Sequence, residues 1–151
     1  SVRWGILLTK EHSGIENDSL FVFNSQSGQQ IKVSLNFKES DKKQKGFNSQ
    51  ITEATINYIF PNVLVYIVSS LKEGSRISIG HISLSKRGIL FEQKGFIFNK
   101  EHFIPWQSVT TNLENGEILV QNTHNRNINT SVSIRDVDNA FALLFLAEQF
   151  A

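Results

Sequence analysis

Residues 76–106, RISIGHISLSKRGILFEQKGFIFNKEHFIPW, decide the fold class that this sequence predicts. Short runs rich in isoleucine, leucine and phenylalanine are separated by Lys-Arg-Gly and Lys-Gly, a pattern typical of antiparallel strands joined by tight turns. The pattern continues to residue 120 and includes Asn115-Gly116, a pair that tolerates the positive φ angles of a tight hairpin turn. We therefore predict that this region is mainly β.

A helix is predicted to precede this run of strands. Asn62 offers a side-chain oxygen to the free N–H groups of a first turn, and Gly74 suits the position just after a last turn, which predicts a helix over 62–73. The β-branched content of the segment favours a strand instead, so tertiary packing is expected to support this helix. Residues 51–60 are compatible with either a strand or a helix, and Pro61 is expected to end that element.

The two ends of the chain carry one more hairpin and one more helix. Residues 19–24 and 30–37 are dense in β-formers and flank a Ser/Gly turn, which predicts a hairpin. At the other end, Asp138 or Asn139 is expected to cap an apolar helix over residues 139–150. The predicted class is therefore mainly β with helices (β+α).

An internal repeat relates the two halves of the chain. A tryptophan, a hairpin and a capped helix occur in the same order twice, and the first copy carries an insertion that contains a lysine-rich loop. The matched residues are Trp4 with Trp106, Asn24 with Asn122, and Asn62 with Asn139. We predict a partial unit over residues 1–74, with hairpin, loop and helix, and a complete unit over residues 75–151.

The complete unit resembles the bacterial pleckstrin-homology-like (PH-like) domains. The resemblance lies in residues 80–89 (GHISLSKRGI), 104–106 (IPW), 115–119 (NGEIL) and the terminal helix 139–150. The family implies a partly open antiparallel barrel plugged by its C-terminal helix, and the repeat adds a partial PH-like unit in front that also ends in a helix. The family implies no activity, because such barrels bind lipids, phosphopeptides or proteins through sites added to the fold.

No sequence pattern predicts catalysis, a metal site or a cofactor. The chain has no cysteine, and none of its four histidines lies three or four residues from another, the spacing of a helical zinc motif. Phosphate-binding glycine loops and the nucleophile-elbow motif are also absent from the sequence. A net charge of +1 gives no electrostatic basis for nucleic-acid binding. We predict a chain that is not an enzyme and that binds no metal, cofactor or nucleic acid.

Two basic clusters are the candidate binding residues. A loop of the first unit holds three lysines beside a phenylalanine, a combination that can contact an anionic membrane. A sparser cluster lies in the complete unit. The candidates are Lys42, Lys43, Lys45 and Phe47 in the loop and Lys86, Arg87 and Lys94 in the complete unit. Solvated charge runs are the alternative explanation of both clusters.

Four further residues are expected to serve the fold. Trp4 and Trp106 are predicted to pack inside their units rather than to stack on a ligand, because a large aromatic residue within a repeat usually belongs to the core. Asn62 and Asn139 are predicted to cap the two helices.

Three functional hypotheses follow. The first is a non-catalytic PH-like binding or scaffolding module, the soluble part of a larger protein, that mediates protein–protein interaction by adding a partner or a second copy at an exposed strand edge. The second is a peripheral module that binds anionic membranes, and the third is a small-ligand-binding or hydrolytic β-barrel. We expect a cytoplasmic location, with membrane association as the alternative. The longest apolar runs, 63–68 and 140–147, are shorter than the ~20 residues of a membrane span.

Overall fold

A computed structural model of the chain describes residues 2–11, 14–24, 28–38, 50–93 and 99–150. Within these ranges the chain forms ten β-strands and two long helices. The strands are β1 (Val2–Glu11), β2 (Gly14–Asn24), β3 (Gln30–Lys38), β4 (Ile77–Ile79), β5 (Ile82–Ser85), β6 (Gly88–Gln93), β7 (Lys100–Pro105), β8 (Val109–Glu114), β9 (Glu117–Asn122) and β10 (Asn129–Ser133). The helices are α1 (Gln50–Lys72) and α2 (Ala142–Phe150).

The strands form three antiparallel sheets in which hydrogen-bonded neighbours are consecutive along the chain. Their orders are β1-β2-β3, β4-β5-β6-β7 and β8-β9-β10. The turn between β8 and β9 is the predicted Asn115-Gly116 pair, with φ angles of 51° and 79°. In β9, Ile118 and Val120 are buried and alternate with more exposed residues, as in a strand with one face on a core. The prediction of a β-rich fold with a C-terminal helix is confirmed, and the described strands do not close into a barrel.

The first sheet is a long three-stranded meander. Strand β1 pairs with β2 from Val2 opposite Phe23 to Glu11 opposite Gly14, and β3 pairs along the other side of β2. The β2–β3 pair contains the predicted hairpin. Strand β1 is not predicted from the sequence, because its apolar residues do not alternate regularly with polar ones.

The main hydrophobic core lies in the second half of the chain and combines its two sheets with both helices. Helix α1, predicted as the end of the first unit, also contributes to this core. The fully buried large side chains are Ile67 and Leu71 from α1, Ile79, Ile82, Leu84, Ile89 and Ile104 from the β4–β7 sheet, Trp106, Ile118 from β9, and Leu143 and Leu146 from α2. Full burial of one aliphatic side chain contributes about 1.5–3 kcal/mol, so both helices stabilise this half of the chain.

Helix α1 continues through Pro61, against the prediction that this proline ends the preceding element. The helix has no break, so residues 51–60 are helical. Its turn at Thr55–Ile59 is π-helical, and the N–H of Phe60 donates to the carbonyl five residues back. Since a π turn is wider than an α turn, it makes room for the proline ring and tolerates the missing N–H.

The helix predicted over 62–73 therefore needs correction at its start. The predicted N-cap at Asn62 is wrong, because this residue lies inside α1, where its Nδ2 donates to the carbonyl of Tyr58 (2.9 Å). The end agrees closely, since the last helical residue is Lys72 and the nearby Gly74 has a φ of 93°, the left-handed conformation that often follows a helix. A π turn has no characteristic residue pattern, so the true start is not visible in the sequence.

Helix α2 covers Ala142–Phe150 rather than the predicted 139–150. Asn139 has a φ of 60°, in the left-handed region, whereas an N-cap residue has an extended backbone. Its carbonyl accepts a hydrogen bond from the N–H of Ala142 (2.9 Å), which closes a tight turn in front of the helix. The predicted cap at Asn139 is therefore corrected to a turn residue, a role that asparagine fills readily because it tolerates this conformation.

The order of elements follows the internal repeat only in part. A hairpin followed by a helix occurs twice, as β2–β3 with α1 and as β9–β10 with α2. The two tryptophans differ, because Trp4 lies within β1 whereas Trp106 starts a short 3-10 turn after β7. A side-chain hydrogen bond joins the first sheet to the second half of the chain, from Asn24 Nδ2 to Asp138 Oδ2 (2.8 Å).

Candidate functional site

The predicted binding residues fall into two groups. Lys42, Lys43, Lys45, Phe47 and Lys94 lie outside the described residues, as does the side chain of Trp4. Lys86 and Arg87 form the turn between β5 and β6, and both side chains are exposed. The candidate site is therefore built around this basic turn.

A surface cleft of about 600 Å³ brings the basic turn together with a third cation and with aromatic side chains. The third cation comes from the last residue of α1, and the aromatic side chains come from β7, the 3-10 turn and the end of α2. We call this site the basic cleft and define it by Lys72, Lys86, Arg87, Phe103, Trp106 and Phe150. Its volume lies within the range of about 300–1,000 Å³ that is typical of ligand-binding pockets.

Glycine is required directly after the basic turn. Gly88 has a φ of 156°, and a Cβ at this position would overlap the carbonyl oxygen of Ile104 and lie 2.8 Å from the Cα of Pro105. The Ser85 hydroxyl donates to the Gly88 carbonyl (3.0 Å) and closes the turn. Strand β6 therefore approaches β7 closely at this point, which fixes the two cations of the turn beside the wall of the basic cleft.

The floor of the basic cleft is a fixed aromatic pair. Trp106 is 1% exposed, its Nε1 donates to the Ser85 carbonyl (2.9 Å), and its ring stacks on Phe150 with centroids 5.2 Å apart. Because Ser85 also closes the basic turn, the same residue ties the turn to the floor. Phe103 is 46% exposed and forms an accessible apolar wall.

The positive charge of the basic cleft is not neutralised within the described part of the chain. Lys72, Lys86 and Arg87 form no ion pair with any carboxylate among the described residues. Lys72 is absent from the sequence-based candidates, because only the packing of α1 against the core brings it to the basic turn. The one sequence signal for it is a lysine at the end of a predicted helix, where a cation interacts favourably with the free carbonyl groups.

A second candidate surface lies on helix α1. Large apolar or aromatic residues remain exposed on this helix, and the strongest cases are Tyr58 (76% exposed), Val65 (65%) and Tyr66 (64%). We call this surface the exposed helix face and define it by Ile56, Tyr58, Ile59, Val65 and Tyr66. The opposite side of α1 is in the core, where the Phe60 ring packs edge-to-face on Phe145 with centroids 5.2 Å apart.

By length and composition alone, α1 is able to cross a membrane. It has 23 residues, and 22% of its most apolar 18-residue window is buried. Uninterrupted apolar runs in the sequence do not reveal this property, because threonine, asparagine and proline interrupt the segment. The same helix nevertheless places Ile67 and Leu71 in the core.

A further cleft, of about 510 Å³, has a polar lining that includes His81, Gln93 and Thr130. The His81 Nε2 and Thr130 Oγ1 atoms are 2.6 Å apart, so the imidazole ring has a hydrogen-bond partner. Within the described ranges, no group of three histidine, aspartate or glutamate side chains is arranged to hold a metal ion.

The outer strands of the three sheets are the last candidate surface. Considering only the described residues, β1, β3, β4, β7, β8 and β10 each have a ladder partner on one side alone. Such edges are able to accept an additional strand. The hypothesis that a partner adds at one of these edges stays a prediction.

The comparisons with known proteins add no family to this picture. No protein-family model, no curated protein and no solved structure matches the chain. The functional argument therefore rests on the basic cleft and the exposed helix face.

Proposed function

We propose that the chain is a non-catalytic, PH-like scaffolding module that associates with a second copy of itself through the exposed helix face. The element order supports the PH-like part of this proposal. Residues 75–151 contain a four-stranded and a three-stranded antiparallel sheet followed by one helix, and these elements share a core with α2 packed into it. The meander β1–β3 followed by α1 supports the partial copy over residues 1–74.

The observation that carries the association is the exposure of aromatic and aliphatic side chains along α1. Soluble chains rarely leave several large apolar side chains together at the surface unless another molecule covers them. Tyrosine is also enriched at protein interfaces, because its ring is apolar while its hydroxyl stays hydrated. Tyr58 and Tyr66 lie at this surface on either side of the π turn's end.

Two features of α1 favour a second copy as the partner. The exposed residues Tyr58, Val65 and Tyr66 are large and uncharged, so two copies of the helix could cover one another's apolar surface without burying a charge. The helix carries just two charged side chains, Glu53 near its start and Lys72 at its end. Two antiparallel copies would therefore bring opposite charges together at each end, in the symmetric arrangement that most dimers adopt.

The proposal is tested by sedimentation equilibrium of the purified chain and of Val65→Glu. The unaltered chain is expected to dimerise as its concentration rises, and Val65→Glu is expected to remain a monomer, because a dimer would have to bury an unpaired carboxylate on each copy. Thr110→Glu is the matched control, since it adds the same charge at an exposed site on β8 and should not affect dimerisation. A monomer in the unaltered chain up to about 1 mM would reject the proposal.

Peripheral binding to anionic membranes is a second candidate function. It is favoured by the length and composition of α1 and by the cations of the basic cleft at the end of this helix. Co-sedimentation with phosphatidylserine vesicles is expected to show binding that falls as salt rises, because the attraction of exposed charges is screened. Vesicles of phosphatidylcholine alone are the control. Equal binding to both kinds of vesicle, or none to either, would remove this candidate.

A further inference from the structure

The basic cleft receives positive charge from two separate elements. Lys72 approaches from the end of α1, and Lys86 and Arg87 approach from the turn between β5 and β6. None of the three forms an ion pair within the described residues. An anionic group between these elements would thus interact with cations on both sides of it.

The same cleft offers an apolar surface that an inorganic anion would not use. Phe103 is nearly half exposed, and Trp106 and Phe150 form a stacked floor beneath it. Trp106 is buried and its indole N–H is bonded to the Ser85 carbonyl, so the accessible part of the floor is the half-buried Phe150 ring and not a free donor. A ligand that fits the whole cleft therefore needs both negative charge and an apolar side group.

We propose that the basic cleft binds an acidic peptide segment in which carboxylates flank one aromatic or aliphatic side chain. The carboxylates would lie against Lys72, Lys86 and Arg87, and the apolar side chain would lie against Phe103 and Phe150. Apart from Lys72, whose charge the antiparallel pairing of α1 would also use, the residues of this site lie outside the exposed helix face, so the chain would present one surface to its second copy and another to an acidic partner.

The combination of charge at the rim and an apolar wall favours a peptide over a membrane surface. A bilayer is nearly flat on the scale of one domain, so it would meet the cations at the rim and the exposed Phe103 ring without entering the cleft. A single peptide side chain can enter a cleft of about 600 Å³ while its neighbours stay at the rim. The peptide therefore uses the charged and the apolar parts of the site at once.

The test is fluorescence anisotropy with a labelled short peptide that has one phenylalanine between glutamates, added to the full chain at low salt. Removing two of the three cations in the double variant Lys86→Gln/Arg87→Gln is expected to weaken binding about tenfold, because exposed charge contacts are individually modest. The control Lys100→Gln/Arg126→Gln also removes one exposed lysine and one exposed arginine, but outside the basic cleft, and should change affinity less than about twofold.

Two altered probes test the chemistry of the ligand. Replacing the glutamates of the peptide with glutamines should abolish detectable binding, and replacing its phenylalanine with alanine should weaken binding. Phe103→Ala should remove the preference for the phenylalanine-containing peptide while leaving the dependence on salt. Thermal unfolding of each variant, followed by circular dichroism, establishes that it is folded.

Three results would overturn the proposal. Equal losses in the site variant and the control variant would mean that only the overall charge matters. Unchanged affinity in Lys86→Gln/Arg87→Gln would place the peptide elsewhere. Displacement of the peptide by phosphatidylserine vesicles, with the same dependence on Lys86 and Arg87, would identify a membrane surface as the occupant instead.

Discussion

Helices α1 and α2 are both rich in apolar residues, yet the chain uses them differently. Helix α2 buries Ala142, Leu143, Leu146 and Ala147 and leaves Phe145 as its one exposed large apolar residue. Helix α1 buries three residues of its second part but only Thr55 among residues 50–59. Thus α2 is chiefly a core element, whereas α1 extends beyond the core and keeps an apolar side in solvent.

The difference shows that apolar composition does not determine how a helix is used. A helix that is hydrophobic on several sides can pack one side into the core and still present another side to a partner. In α1 the π turn separates an exposed part of the helix from a packed part. Tyr58, within the π turn, is largely exposed, whereas the residues that follow the turn pack on α2 and β4. The apolar surface of α1 that lies outside the core is therefore the part of this helix that is available for binding.

The largest expected loss of stability comes from a substitution that breaks the contact between the two helices. Phe60→Ala should lower the free energy of unfolding by about 3–5 kcal/mol, because the buried ring packs on Phe141 and Phe145 and its removal leaves a cavity. Denaturant unfolding followed by circular dichroism measures this change.

Tyr58→Ala is the matched aromatic truncation on the exposed side of the same helix. It should change the free energy of unfolding by less than about 0.5 kcal/mol when measured on dilute monomer. Similar losses in the two variants would show that the two sides of α1 are not used differently.

The smallest expected effect concerns Asn62, which lies inside α1 and not at its start. Asn62→Ala should alter the free energy of unfolding by less than about 0.5 kcal/mol, because it removes an exposed side-chain bond to the Tyr58 carbonyl and replaces asparagine with a better helix former. If Asn62 were an N-cap, the loss would be about 1 kcal/mol or more. Thermal unfolding of the unaltered chain and of Asn62→Ala, measured under the same conditions, distinguishes these values.

Much of the second half of the chain is predictable because local residue choice and tertiary structure agree there. Asn115-Gly116 adopts the positive φ angles that its residue types favour, and Ile118 and Val120 alternate as a half-buried strand requires. The predicted helix boundaries are wrong where local residue choice and tertiary structure disagree. Pro61 is a strong stop signal on its own, and only a π turn, which has no residue signature, allows α1 to pass it.

The basic cleft is predictable only in part, for a related reason. Lys86 and Arg87 adjoin each other in the sequence and are therefore recognisable as a candidate pair. Lys72 and Phe150 lie beside Lys86 and Arg87 because the two helices pack against the sheets, and no local sequence pattern predicts this proximity. The apolar part of the site is also ambiguous from sequence, since Trp106 has the composition of a core residue and is indeed buried while still forming the floor.

The central claim, that the exposed helix face pairs two copies of the chain, is tested most directly by cross-linking. Because the sequence has no cysteine, Asn62→Cys supplies a single thiol on α1 among exposed residues, and Thr110→Cys supplies one on the exposed side of β8. Mild oxidation should link Asn62→Cys chains into disulfide dimers while Thr110→Cys stays monomeric, because only the first places two thiols within bonding range across the pair. Equal cross-linking of the two variants, or none at Asn62→Cys, would contradict the account.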